Sequence, residues 1–234
     1  MRDAIIVALD TDAHTALTLA RTLRGHVQWL KVGMTLYYAE GPDIIVRLQA
    51  MGFRIFLDLK LHDIPHQVEG AARQIARLGV AMFTVHASGG QMMLEAAVRG
   101  ACEGSGECGI DTPDVLAVTV LTSMDAATLA STGVMCSPRE QVVRLLSIAR
   151  DAGVQGVVCS PHEAASARAA IGPEGLVVTP GVRLPGGDPG DQKRVATPVE
   201  ALRAGASHIV IGRPVTGAPN PVTVVHEMIS STES

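Results

Sequence analysis

The stretch Phe56-Leu57-Asp58-Leu59-Lys60-Leu61-His62-Asp63-Ile64-Pro65 carries two structural signals in ten residues. Its first half alternates: Leu57, Leu59 and Leu61 share one face, Asp58 and Lys60 the other, which is the two-residue period of a strand. Its second half breaks at Asp63 and Pro65, and a proline suits the first turn of a helix, where its missing N–H has no partner to lose. A strand running straight into a helix is half of a βα unit. The leucine face is expected to meet the helix layer, so the strand is buried on both sides. Inward Asp58 and Lys60 are then costly unless they pair or act. Asp63 alone also fits the role of an N-terminal cap.

The same punctuation recurs along the chain. Apolar runs near 4–9, 27–32, 54–59, 81–86, 114–121, 155–159, 175–179 and 207–211 read as strands. Segments near 12–24, 42–51, 66–78, 90–103, 138–152, 161–171, 197–204 and 221–230 read as helices. Pro42, Pro65, Pro138, Pro161 and Pro221 stand at helix starts, and Gly25, Gly52, Gly79, Gly153 and Gly205 follow helix ends. In the helix after the central stretch, Val68, Ala71, Ala72, Ile75 and Leu78 form one apolar face. Eight parallel strand–helix pairs close most naturally into an α/β TIM (β/α)8 barrel, a single domain over 1–234. An open doubly wound sheet is the rival, but no G-x-G-x-x-G follows the first strand.

Composition narrows the function classes. The 234 residues are 47% hydrophobic and 18% charged, and a net charge of -4 with pI near 6.0 argues against a general nucleic-acid binder. Cys102, Cys108, Cys136 and Cys159 include no C-x-x-C pair, so reduced thiols and a cytoplasmic location are expected. The N-terminal apolar run is too short for a signal peptide, and no stretch approaches the roughly 20 apolar residues of a membrane span. A soluble chain without a membrane partner is expected. The eight histidines are scattered and form no clustered His/Cys set, so neither metal nor cofactor is expected. His62 and His86 read as structural hydrogen-bonding residues.

In a TIM barrel the working groups sit at the C-terminal ends of the strands. Asp10, Lys31, Asp58 and Lys60, Asp63 just beyond, His86, Thr122 and Ser123, Ser160, Arg183, and Gly212 with Arg213 all fall there. A merely structural barrel has no need of that gathering. Lys31 on its own fits a snorkelling surface lysine. Beside a buried Asp-x-Lys on the next strand it reads instead as part of an alternating set, Lys31, Asp58, Lys60 and Asp63. Strands seven and eight are the usual phosphate side of the fold. There Gly212 lets backbone N–H groups approach an anion, Arg213 adds a forked cation, and Arg183 and Gln192 come from the long Gly/Pro/Asp-rich stretch Pro180 to Ala196. A loop of that length reads as an active-site lid.

With these residues in place the sequence resembles the bacterial orotidine 5'-monophosphate decarboxylase family over nearly its whole length. The resemblance is carried by Val7-Ala8-Leu9-Asp10, Lys31-Val32-Gly33, Asp58 through Pro65, Val85-His86-Ala87, Leu121-Thr122-Ser123, Thr179 through Arg183, Asp191-Gln192 and Gly212-Arg213. The Asp-x-Lys-x-x-Asp core is shared with sister phosphate-binding barrels, whereas His62-Asp63-Ile64-Pro65 together with Lys31 is much more specific. His66, where a small polar residue is common, and the stretch Leu184 to Gly190 depart from the pattern or fail to inform it.

The resemblance implies cofactor-free conversion of orotidine 5'-monophosphate to UMP in pyrimidine biosynthesis. Lys60 would be the proton donor, and Lys31, Asp58 and Asp63 would complete a charged tetrad. It implies a homodimer in which Asp63 reaches the partner's site, with Ile64 and Pro65 also among the substrate contacts. Asp10 and Lys31 would hold the ribose, Thr122 and Ser123 the pyrimidine end, and Arg183, Gln192, Gly212 and Arg213 the phosphate. Two other readings stay open. One is a magnesium-dependent keto-sugar-phosphate decarboxylase or hexulose-phosphate synthase, though such enzymes resemble one another in an acidic metal ligand on strand two. The other is a non-catalytic nucleotide-binding barrel.

Overall fold

The central stretch folds as read, and the computed structural model, which describes residues 2–183 and 196–233, shows what surrounds it. Strand β3 (Arg54–Leu61) enters α4 (Pro65–Arg77) with Pro65 in its first turn. Leu57 is fully buried in the layer between sheet and helices, and Leu59 and Leu61 pack against that layer. The other strands are β1 (Ile5–Ala8), β2 (Trp29–Gly33), β4 (Met82–His86), β5 (Asp114–Val118), β6 (Gly156–Val158), β7 (Leu176–Thr179) and β8 (His208–Ile211). They pair in sequence order, all parallel, and β1 closes on β8 through Ile5↔Ile209 and Val7↔Ile211. The cylinder is filled by Ile6, Ala8, Trp29, Phe56, Met82, Leu116, Val178 and Val210. The second and larger core lies between strands and helices.

The remaining helices are α1 (Ala13–Leu23), α2 (Met34–Glu40), α3 (Asp43–Ala50), α5 (Gln91–Cys108), α6 (Ala126–Ser131), α7 (Pro138–Asp151), α8 (Ala164–Ile171), α9 (Pro198–Arg203), α10 (Arg213–Thr216) and α11 (Pro221–Glu233). Helix stops are glycine-made where expected: Gly79 and Gly153 take left-handed φ of 66° and 73° just past α4 and α7. Among the described residues no helix is long and apolar enough to cross a membrane.

Several boundaries differ from the sequence reading, among them the ends of β3 and α11, at Leu61 and Glu233 rather than 59 and 230. Helix α5 runs to Cys108 rather than 103, because Gly100 and Gly104 serve packing. A Cβ there would stand 2.2 and 2.3 Å from the α4 carbonyls of Glu69 and Arg73. The ion pairs Arg73–Glu103, Arg77–Glu107 and Arg99–Glu69 tie the same two helices together. Strand β2 starts at Trp29 and β5 stops at Val118, two and three residues inside the expected limits 27 and 121. The segment 161–171 opens with a 3-10 turn before α8 begins. Helices α2, α6 and α10 escaped the pattern altogether, being six or seven residues or fewer and set inside apparent connections. All three follow strand C-termini, and so all three border the barrel mouth.

Candidate active site

Strand alternation aims Asp58 and Lys60 into the mouth, and a local break in that alternation sets their geometry. Lys60 has φ 53°, the one positive φ outside glycine among the described residues, and the β3–β4 register shifts between Leu57 and Leu61. A left-handed non-glycine residue is strained. Here the bend folds the lysine back over its neighbour, so that Nζ lies 2.8 Å from both oxygens of Asp58. From β2, Lys31 Nζ lies 3.3 Å from Asp58 Oδ2 and 2.9 Å from Asp10 Oδ1. The result is an alternating chain, Asp10–Lys31–Asp58–Lys60, with two charges of each sign.

Lys31 and Asp58 are buried. Burial would pull the Lys31 ammonium down, but the Asp58 and Asp10 carboxylates outweigh it and hold it above the ordinary lysine value. Burial would likewise raise Asp58, and Lys31 and Lys60 overcome that, so its carboxyl stays below the usual range. The pair is therefore fully ionised at neutral pH. Close packing makes the arrangement specific: a Cβ on Gly33 would stand 2.5 Å from Asp10 Oδ1 and 3.0 Å from Lys31 Nζ.

The charged chain borders a cavity of about 580 Å³, a size suited to a nucleotide-scale ligand. Asp10, Lys31, Asp58, Lys60, Thr122, Ser123, Arg183, Gly212 and Arg213 all line it. Between the charged groups and the β7–β8 side lies an apolar wall that includes Val118, Val120, Val158 and Pro180. Arg183 is buried and donates to the Val182 carbonyl, while Arg213 is exposed in the first turn of α10. Val182 bridges to Ala196, so the chain leaves β7 and returns at one point beside the mouth.

The remaining sequence candidates fall elsewhere. Asp63, Ile64 and Pro65 do not line the cavity of this chain. Asp63 is exposed and accepts from the N–H of Ile64 at 2.7 Å. It makes no helix cap either, since Ile64 holds the N-cap position of α4 and no side chain caps it. Gln192 and most of the expected lid lie outside the described residues. His62 and His86 meet as rings 5.3 Å apart, and burial, with His62 and Lys60 nearby, holds His86 below its ordinary value. Among the described residues no three His, Cys, Asp or Glu side chains are placed to share a metal ion.

Sequence reading missed Thr84 and gave Gly33 no role beyond its place beside Lys31. Thr84 is 1% exposed, accepts from Lys60 N at 2.9 Å and donates to Asp58 Oδ1 at 2.9 Å. Its signal was present: in Met82-Phe83-Thr84-Val85-His86 it is a hydroxyl at an inward, otherwise apolar strand position. Nothing in Gly33 as a letter announced the ion pair packed against it.

Comparison with known proteins comes to one family. Residues 3–228 match the model of the orotidine 5'-phosphate decarboxylase / HUMPS family. An orotidine 5'-phosphate decarboxylase of Anaeromyxobacter sp. (strain K) is 52% identical over 220 residues, 94% of this chain and 93% of that protein. One from Moorella thermoacetica is 47% identical over 234 residues, 99% and 93% of the two chains. The crystal structure of orotidine 5'-phosphate decarboxylase from Lactobacillus acidophilus superposes with a TM-score of 0.87 at 37% identity, covering 99% of this chain and all of that one.

Proposed function

The chain belongs to the orotidine 5'-phosphate decarboxylase / HUMPS family, and from that premise we propose that it decarboxylates orotidine 5'-monophosphate to UMP with Lys60 as proton donor. The observation that carries this reading is the ionised chain Asp10–Lys31–Asp58–Lys60 at the wall of a nucleotide-sized cavity. Lys31 also favours this branch of the superfamily. It puts an ammonium on strand two, where the metal-dependent sister enzymes are expected to carry an acidic ligand.

The substrate bears a carboxylate on C6. Breaking the C6–carboxylate bond leaves its electron pair on C6 in an orbital with little resonance relief, so the site must stabilise that charge as it develops. The Lys60 ammonium beside C6 does this and then transfers a proton from Nζ to C6 as CO2 departs; water returns a proton to the amine. Asp58 lies against the departing carboxylate. Two such groups about 4 Å apart repel by roughly 4 kcal/mol at an effective dielectric near 20. Release of that repulsion is worth up to about three decades in rate at 1.36 kcal/mol each. The apolar wall receives the uncharged CO2.

Phosphate binding falls to Arg183, Gln192, Gly212 and Arg213. Helix α10 supports this assignment, because a short extra helix after strand eight completes the usual phosphate site of the fold. Asp10 and Lys31 hold the ribose hydroxyls, and Thr122 and Ser123 meet the pyrimidine. Binding energy from the remote phosphate raises the rate if it orders the charged groups around C6.

Asp63, with Ile64 and Pro65, completes the site of a second copy of the chain. In support, Asp63 is exposed at the rim, and Met34, Tyr38, Ile64, Met92 and Met135, on segments following β2 to β5, are large exposed apolar side chains on that same side. Mixing inactive Lys60→Ala with inactive Asp63→Ala chains is expected to restore part of the activity through hybrid dimers. Verified subunit exchange with no recovery would place Asp63 outside the partner's site.

The function itself is tested by the loss of orotate-ring ultraviolet absorbance when the purified chain meets orotidylate. Consumption with release of UMP, unchanged by a chelator, is expected. Absent consumption with tight UMP binding would make the chain a nucleotide-binding barrel, and chelator-sensitive turnover would favour the metal-dependent branch.

A further inference from the structure

We propose that Thr84 is a positioning residue for this reaction, its hydroxyl fixing the Lys60 backbone and the Asp58 carboxylate in one arrangement; the proposal rests on the reading above. Thr84 sits in the middle of β4, facing inward between Met82 and His86. The register shift between Leu57 and Leu61 takes the Lys60 N–H off the ordinary β3–β4 ladder, and Thr84 Oγ1 accepts it at 2.9 Å instead. A hydroxyl has one proton to give, and it goes to Asp58 Oδ1 at 2.9 Å. One buried side chain therefore secures both the left-handed turn that brings Lys60 back over Asp58 and the carboxylate it meets.

The arrangement has a consequence for turnover. Lys60 Nζ bonds both oxygens of Asp58 at 2.8 Å, and it must release at least one of them to deliver a proton to C6. Thr84 and Lys31 keep the carboxylate in place while the lysine is away, and the backbone bond to Thr84 keeps the lysine's point of attachment fixed. Positioning of this kind acts on the chemical step more than on substrate binding, because the phosphate and ribose contacts lie elsewhere. The Thr84 bond also helps hold the Asp58 carboxyl low, alongside Lys31 and Lys60; Asp10, His62 and His86 are the other titratable groups on this side.

Thr84→Val keeps the branched shape and removes the hydroxyl, whereas Thr84→Ser keeps the hydroxyl and loses a methyl. For Thr84→Val, kcat is expected to fall about 10- to 100-fold while KM and UMP affinity stay within about threefold, with the acid limb of kcat moved to higher pH. For Thr84→Ser, kcat is expected within about fivefold of wild type, with the acid limb restored. A merely structural threonine would lower thermal stability in both variants and leave the pH profile alone. Should Thr84→Val fail to fold, Thr84→Ala is read against Thr84→Ser in the same way. A fully active hydroxyl-free variant beside an active wild type overturns this proposal alone, as does a serine variant as slow as the hydroxyl-free one. A wild-type chain that consumes no orotidylate overturns the proposed function with it.

Discussion

Lys31 and His208 are titratable side chains of the same barrel, and their surroundings push them in opposite directions. At the mouth, Asp58 and Asp10 hold Lys31 charged against the pull of burial. At the floor, burial and the nearby Arg54 push the His208 imidazole down to about 4, while burial raises the carboxyl of Asp114. Trp29, Arg54, Asp114 and His208 are the first residues of their strands, and ring and cation contacts link Trp29, Arg54 and His208. Arg54 lies 4.1 Å over Trp29, and Trp29 meets His208 edge-on at 5.3 Å. At the floor burial shifts His208 toward its neutral form. The mouth keeps its groups ionised at the expense of desolvation, offset only because each charge has an opposite neighbour. Ionised groups kept buried at that cost are the mark of the working end.

Removing a charge at each end should separate the two most widely. Lys31→Met takes from Asp10 its ammonium partner and leaves Asp58 to Lys60 alone, and losing a partner of a buried charge is destabilising. Turnover in the same variant is expected to fall about 100- to 1000-fold, because one of the two ammonium groups ordering Asp58 is gone. Arg54→Met at the floor should leave kcat unchanged in the same assay. Comparable losses from both would erase the distinction.

Acid titration of stability probes the floor next. The folded-state value of His208 lies below its unfolded value, so as pH falls the unfolded chain takes up the proton first. Its contribution is complete above about pH 6.5 and is lost progressively down to about 4, a decline of about 3 kcal/mol at 1.36 kcal/mol per unit. The raised carboxyl of Asp114 works the other way, and its unfavourable effect is relieved by acid. Asp58, held low, gives up its contribution only as pH drops from about 4. Denaturant unfolding across this range should therefore show a shallower acid decline in His208→Gln; an identical slope would remove His208 from the floor's balance.

Within the mouth, effects should diminish away from C6. Arg213→Ala is expected to weaken UMP binding about 10- to 100-fold, worth about 1.4–2.7 kcal/mol, with a smaller change in kcat. Unchanged affinity would move the phosphate site away from β8. Gly33→Ala should raise KM only a few-fold, since its Cβ displaces the half-exposed Asp10 and leaves the Lys31–Asp58 contact able to re-form. A complete loss of activity there would mean that Asp10 does more than hold the substrate.

The barrel was legible because its signals repeat: strand-length apolar runs, prolines at helix starts and glycines at helix ends occur in nearly every unit. Helices α2, α6 and α10 were hidden because too few turns were present to show a period. The β3 pattern named Asp58 and Lys60 correctly, yet alternation could not foresee the left-handed backbone that turns one onto the other. Asp10 entered as a ribose contact and is also an end member of the ion-pair chain, while Asp63, expected in the charged set of a partner's site, lies outside the cavity of its own chain. Pairing across strands depends on register, which is not written in local sequence. Thr84 was readable in principle as an inward hydroxyl, but its two partners on β3 become apparent only once the register shift is known.

The role of the Lys60 amine is tested most directly by single-turnover mixing of Lys60→Ala with orotidylate, followed by ring absorbance, alongside equilibrium binding of UMP. Retained UMP binding with no detectable decarboxylation is the expected pair of results. Consumption of orotidylate at close to the wild-type rate would show that some other group delivers the proton.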